Sequence, residues 1–198
     1  MLLLFTRFPE PGRSKTRLIP ALGAVGAARL QSQLTEQTLR LAEAFSNRHD
    51  LALEIYFAGG DEEAMQQWLG PHICKRQVVG SLGDRMQHAF TQAFADGMTQ
   101  VVLIGADCPG LSADILRQAF LALRDSDLVL GPALDGGYYL IGLKQSRPLL
   151  FDDIAWGSAS VLQQTLAKAK ALNVSQLTPL HDIDRPQDLV HFDYHPRP

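Results

Sequence analysis

The chain has 198 residues, an ordinary composition and a formal net charge of −3. One α/β domain of this length buries roughly 70 % of its unfolded surface, so a single domain over 1–198 is expected. Mild acidity and the lack of a long cationic block argue against a nucleic-acid stripe or a membrane-surface patch, which leaves small-molecule chemistry.

Leu2–Arg7 reads as a buried first strand that empties into "FPEPGRSKTRLIP". Residues 24–45 carry Ala28, Leu34, Leu41 and Phe45 near helical period, so the loop joins a strand to a helix. Residues 51–58 alternate into "IYFAGG", a strand ending in glycines, and Glu62–Leu69 reads as a short helix stopped by Gly70 and Pro71. A helix is expected over 84–94. "VVLIGADCPGLS" is an apolar strand that breaks into Gly, Asp and Pro, after which Ser112 can cap a helix through Leu123. Residues 128–131 and Tyr138–Leu143 are strand-like runs around a Gly-rich connection. A helix over 160–172 and a strand over 174–180 precede "HDIDRPQDL". Strands alternating with helices imply a mainly parallel sheet covered on both faces, whose ligands gather at the carboxyl ends of the strands. No internal repeat or linker interrupts the chain.

The apolar start is too short for a secretory h-region and has no basic residues ahead of it. No run approaches the roughly 20 apolar residues of a membrane span. The two cysteines, Cys74 and Cys108, have neither metal nor redox spacing, so a reducing cytoplasm is the expected compartment.

Positions 5–20 hold four cations, Arg7, Arg13, Lys15 and Arg17, against one acid, Glu10, among three prolines. A P-loop needs a glycine directly before the lysine, and Ser14 stands there. No Gly-x-Gly-x-x-Gly follows the first strand either. What remains is a stiffened turn able to surround phosphate, since one opposed unit-charge contact at 4 Å is worth about 4 kcal/mol at an intermediate dielectric. A solvated basic loop is the plainer alternative.

Asp107 in "GADCPG" follows a buried strand. A diphosphate beside it is repelled unless a divalent cation lies between, and Mg²⁺ binds through one or two carboxylates plus phosphate oxygens. A turn or helix cap accounts for the same residue. Asp135, Gly136 and Gly137 let the backbone approach a ligand closely, and they equally suit a hairpin turn. Asp182 and Asp184 alternate, so both can look to one side. Asp184 can instead cap a short helix ahead of Pro186. "GSLGDRM" opens a helix whose Gly83 and Arg85 are candidates for the nucleotide side, with Asp84–Arg85 pairing as the alternative. Trp156 offers a stacking wall, or a core side chain. His191 and His195, four apart in a tail stopped by Pro196, give a zinc pair little support. Cys108 lacks a partner that would lower its pKa, and no Gly-x-Ser-x-Gly elbow is present.

The order of "TRFPEPGRSKTRL", "GSLGDRM", "GADCPGL", "GPALDGGYYLIGL", "WGSASVL" and "DIDRPQDL" resembles the bacterial DUF2064 family, grouped with glycosyltransferases in the nucleotide-diphospho-sugar transferase superfamily of GT-A fold. The resemblance covers nearly the whole chain. It implies a single Rossmann-like α/β domain with a mixed, mainly parallel central sheet. It implies Gly12, Lys15 and Arg17 as nucleotide-phosphate contacts beside Arg7 and Arg13, and Asp107 as a metal ligand for Mg²⁺ or Mn²⁺. Asp184 becomes the second carboxylate, and Asp135, Gly136, Gly137 and Trp156 the substrate side, with Lys15, Asp107 and Asp135 catalytic. Many glycosyltransferases of this fold carry Asp-x-Asp. This chain has Asp107-Cys108-Pro109, which looks more like the molybdenum-cofactor and 2-phospholactate guanylyltransferases.

The expected activity is metal-dependent transfer from a nucleotide-sugar to a small-molecule acceptor. The alternative is a nucleotidyltransferase joining an NTP to a phosphorylated small molecule with release of pyrophosphate. A non-catalytic nucleotide-binding module is the third reading.

Overall fold

Leu2, Leu3, Leu4, Val101, Val102 and Ile104 have no side chain that water would hold, and all are completely enclosed. They form adjacent parallel strands, β1 (Leu2–Arg7) and β4 (Val101–Gly105), at the centre of the sheet in a computed structural model that describes residues 1–192. The other strands are β2 (Leu53–Ala58), β3 (Cys74–Arg76), β5 (Leu128–Pro132), β6 (Tyr138–Leu143) and β7 (Val174–Gln176). Their spatial order is β3-β2-β1-β4-β6-β5-β7, with only β6 antiparallel to its neighbours. Strand order reverses at β1 and β4, so a crevice opens at their carboxyl ends.

Alternation along the strands sends residues to two cores. Leu2, Leu4, Ile55, Phe57, Val102 and Ile104 pack against α1 (Ile19–His49), α2 (Glu62–Leu69) and α4 (Ala113–Asp125). Leu3, Phe5, Tyr56, Val101 and Leu103 pack on the other face, against α3 (Leu82–Ala95) and near α5 (Val161–Lys168). This is the expected α/β sheet with helices on both faces. Ser112 accepts from Ile115 N–H at 3.3 Å, the cap foreseen for α4.

Several boundaries differ from the sequence reading. The long helix runs on from Gly23, as expected from residue 24, but reaches His49 instead of residue 45, and a short helical stretch from Ile19 precedes it across Gly23, whose φ of 69° and ψ of 168° are not helical. β3 was not foreseen, because three residues at a sheet edge show no periodicity. β7 ends at Gln176. Beyond it Leu177 N–H and Leu180 N–H still donate to Leu130 and Pro132 carbonyls, but Pro179 has no N–H to continue the ladder. α5 ends at Lys168, four residues earlier than expected. His195 lies outside the described residues, while His191 stacks on His181 with 3.7 Å between ring centroids. Among the described residues no helix is long and apolar enough to cross a membrane.

Candidate functional site

The loop between β1 and α1 is held by its own polar atoms. Ser14 is fully buried; its hydroxyl donates to the Phe8 carbonyl at 2.7 Å and accepts from Glu10 N–H at 3.0 Å. Gly12 turns the chain at φ 82°, and Lys15 follows in the left-handed region at φ 47°, which side-chain-bearing residues seldom adopt. That turn drives the Lys15 side chain inward until only 4 % of it is exposed. Its Nζ donates to the Ile183 carbonyl at 2.6 Å and stands 2.8 Å from Oδ1 of Asp107. Ile183 N–H in turn donates to the Asp107 carbonyl at 2.9 Å. Lys15 thus ties the basic loop to the end of β4 and to the C-terminal segment.

Above this clamp lies a cleft of about 620 Å³. It is lined by Arg7, Arg13, Lys15 and Arg17 and by Asp107, Asp135, Asp182 and Asp184. Arg13 also pairs loosely with Glu10 at 3.5 Å, and Arg17 donates to the Asp184 carboxylate. The Asp135 carboxylate serves the hairpin turn and the cleft together: Oδ1 accepts from Gly137 N–H at 2.8 Å, and Asp135 and Gly137 both line the cleft.

The cleft carboxylates act on their neighbours' proton affinities. Burial, then the neighbouring Asp135 charge, push the Asp182 carboxyl up to about 6. Burial first, then Asp107, Asp182 and Asp135, drive the Cys108 thiol far above its ordinary value, so it is no nucleophile at neutral pH. Among the described residues no three His, Cys, Asp or Glu side chains are grouped to hold a metal ion by themselves. Because the folded chain binds the Asp182 proton more tightly than the unfolded chain, this group stabilises most below its ordinary value of 3.8, and that contribution is lost as pH rises through about 6. In metal-free buffer Asp182→Asn is therefore expected to be more stable than the parent at pH 7, with the difference closing towards pH 4. Denaturant titrations at the two pH values measure it, and an equal difference at both would contradict the assignment.

Four of the sequence candidates sit off the cleft lining. Gly12 makes the turn, with open space around it. Gly83 lies under Trp156, where an added Cβ would be 2.6 Å from the indole Nε1 and 2.8 Å from the Phe151 carbonyl oxygen. Arg85 donates to the Gly80 carbonyl at 3.1 Å and to Gln77 at 3.4 Å. Asp84 does not pair with it but closes a capping box with Ser81, accepting from Ser81 N–H at 2.7 Å. Gly136 lets the hairpin meet the segment ahead of α5: at φ 94°, an added Cβ would lie 2.1 Å from the Ala159 carbonyl oxygen. Gly136→Ala combines a strained φ with that overlap and is expected to destabilise by about 2–6 kcal/mol in equilibrium unfolding. Trp156 does line the cleft, packed edge-on against Tyr138 at 84°.

The sequence reading missed Thr6, Gln31 and Gln77, which also line the cleft. Thr6 Oγ1 lies 2.7 Å from Thr35 Oγ1, and Gln31 Nε2 donates to Thr35 at 3.1 Å. Gln77 Nε2 donates to the Tyr56 carbonyl at 3.0 Å, which fixes its amide at the cleft wall. A signal for the first group was present: Ala28, Gln31, Thr35, Thr38, Ala42 and Phe45 share one helical face, so polar residues interrupt an apolar stripe.

A family model described as "Uncharacterized protein conserved in bacteria (DUF2064)" matches residues 39–158. The chain belongs to the DUF2064 family. The matched part of this DUF2064 chain contains Asp107, Asp135 and Trp156; the basic loop and the Asp182–Asp184 segment lie outside it. Among solved structures, the chain is 40 % identical to a protein of Desulfovibrio desulfuricans G20 named "putative nucleotide-diphospho-sugar transferase", with a TM-score of 0.87 over 95 % of this chain and 83 % of the other. A CMP:2-keto-3-deoxy-manno-octonic acid synthetase complexed with CTP is 12 % identical, with a TM-score of 0.58 over 96 % and 95 % of the chains. Rv0371c of Mycobacterium tuberculosis H37Rv, complexed with manganese, is 16 % identical, with a TM-score of 0.55 over 96 % of each chain. No protein of curated function matches the sequence. The DUF2064 chain therefore has the fold shared by nucleotidyl- and nucleotide-sugar transferases, and the family implied by its motif order is its family.

Proposed function

We propose that this chain is a divalent-metal-dependent transferase that takes its group from a nucleotide-sugar. The observation that carries this reading is that one cleft is lined by both charge types, three arginines and four aspartates. Either half alone has a structural explanation. Together they match a ligand with a diphosphate at one end and hydroxyl groups at the other.

The residues fit a metal. The donors are all carboxylate oxygens, which suit Mg²⁺ or Mn²⁺, and burial beside the charges of Asp135 and Asp184 disfavours the ionised form of Asp182, which a bound cation would relieve. Asp107 with Asp182 would hold the ion, and phosphate oxygens of the donor would complete its shell. When bound, such an ion supplies charge neutralisation to the departing diphosphate. Asp184, the second carboxylate expected from the sequence, is engaged by Arg17 in the ligand-free chain, which favours Asp182 for that role in this reading.

Arg7, Arg13 and Arg17 would seat the phosphates; Lys15 holds Asp107 in position from below. The carboxylate of Asp135 is placed to accept the proton of an attacking acceptor hydroxyl. Trp156 walls the sugar side. The name of the Desulfovibrio relative supports a nucleotide-sugar, and the manganese complex of Rv0371c supports the metal. Action in the cytoplasm agrees with two free cysteines.

The test is a panel of nucleotide-sugars with Mg²⁺ or Mn²⁺, reading nucleoside diphosphate released by transfer or slow hydrolysis. Metal-dependent release from one donor is expected; no release from any donor counts against the proposal. One observation favours nucleotidyl transfer instead. Cys108, where Asp-x-Asp enzymes continue towards a second acid, is buried and followed by Pro109, so this loop supplies one carboxylate. Pyrophosphate release from an NTP with phosphorylated acceptors would select that reading.

A further inference from the structure

The Asp184 carboxylate accepts a hydrogen bond from Nη1 of Arg17. It does not cap the turn that follows. The N–H groups of Asp184 and Arg185 both donate to the Asp188 carboxylate, at 3.1 and 2.7 Å, so Asp188 does that work. Arg17 is 56 % exposed at the cleft and lies also in the field of Asp135. The segment carrying Asp184 is anchored one residue earlier, where Ile183 is bonded to Lys15 and to Asp107. A fixed backbone therefore delivers an anion to a cleft arginine.

Guanidinium binds carboxylate and phosphate oxygens through the same planar edge of donors. A carboxylate on that edge stands where a phosphate would. We infer that Asp184 is an internal surrogate for a substrate phosphate on Arg17, displaced when a diphosphate enters. The inference rests on the phosphate-binding part of the proposed function. Asp184 keeps the guanidinium oriented and neutralised while the cleft is empty, and every incoming phosphate competes with it. Removing its charge should then strengthen phosphate binding, whereas removing a metal ligand would weaken binding in the presence of metal.

The experiment is calorimetric titration of inorganic pyrophosphate and of nucleoside diphosphates, in chelator and at low salt, into the parent, Asp184→Asn, Arg17→Gln and the double variant. An exposed ion pair of ordinary strength predicts binding about two- to fivefold tighter in Asp184→Asn. The gain should shrink at about 0.5 M salt. In the Arg17→Gln background the Asp184 substitution should change little. Unchanged or weaker binding in Asp184→Asn overturns the inference, as does equal tightening without Arg17, which would make the effect a general field. If the parent binds and Asp184→Asn does not tighten, only this inference fails. If no form binds pyrophosphate or any nucleoside diphosphate either in chelator or with Mg²⁺ or Mn²⁺ added, the proposed function fails with it. Thermal unfolding of each form checks folding, and Asp184→Ala provides a second variant with the same expectation.

Discussion

Asp107→Asn should both stop turnover and strand a buried charge. Lys15 keeps only 4 % of its side chain exposed, and Asp107 is its counter-ion at 2.8 Å. Without that carboxylate the ammonium retains the Ile183 carbonyl and little else. Breaking a buried pair from the side that leaves the enclosed charge costs about 3–5 kcal/mol. Half of the Asp107 side chain is open, so the lower end, about 3 kcal/mol, is expected. For a chain of this size that lowers Tm by roughly 6–12 °C. The catalytic loss should be about 10³-fold in metal-dependent turnover, the scale of losing one preorganised electrostatic group at developing charge. Turnover must be compared at a temperature where both proteins are folded. A variant that keeps parental turnover would remove Asp107 from the site.

Lys15→Met should be milder in stability and nearly as severe in catalysis. The carboxylate left behind can turn to water, since half of the Asp107 side chain is exposed, and the slot left by Lys15 accepts an apolar chain. The remaining loss is a charge-assisted hydrogen bond to Ile183, about 1.5–3 kcal/mol. Asp107 then loses its tether, and misplacement of such a group costs on the order of 10²-fold in kcat. Because the enclosed ammonium has little room to meet a phosphate, KM for the donor should stay within about threefold. A large rise in KM with unchanged kcat would instead make Lys15 a phosphate contact. The double variant Lys15→Met/Asp107→Asn should be more stable than Asp107→Asn alone, because no buried charge then lacks its partner. Strict additivity of the two losses would contradict the pairing.

The sequence exposed most of the parts. Strands β1, β4 and β6 were legible because unbroken apolar runs of five or six residues have one outcome in a sheet covered on both faces. Helix α2 was legible over Glu62–Leu69, because Gly70 and Pro71 stop it. β3 was hidden. Its three residues, Cys74, Lys75 and Arg76, carry no pattern and are strand only because β2 offers them an edge. Thr6, Gln31 and Gln77 were passed over because their types also serve ordinary surfaces, and only their enclosure beside the cleft gives them meaning.

By itself the sequence determined that one cation ends the first strand and three more follow it, that Asp107 follows an apolar strand, and that Asp135, Asp182 and Asp184 come later. It did so because strand ends and loop compositions are local properties, set by side-chain periodicity and by proline and glycine. Which charge meets which was decided only by the tertiary structure. Lys15 meets Ile183 across 168 positions, and Arg17 meets Asp184 across 167. Those meetings follow from parallel strands with helical crossovers, which bring distant loops to one sheet edge, and from the left-handed turn at Lys15, which sends its side chain inward. Residue types announced a phosphate loop with four cations; all four line the cleft, and the fold encloses one of them, Lys15, against Asp107.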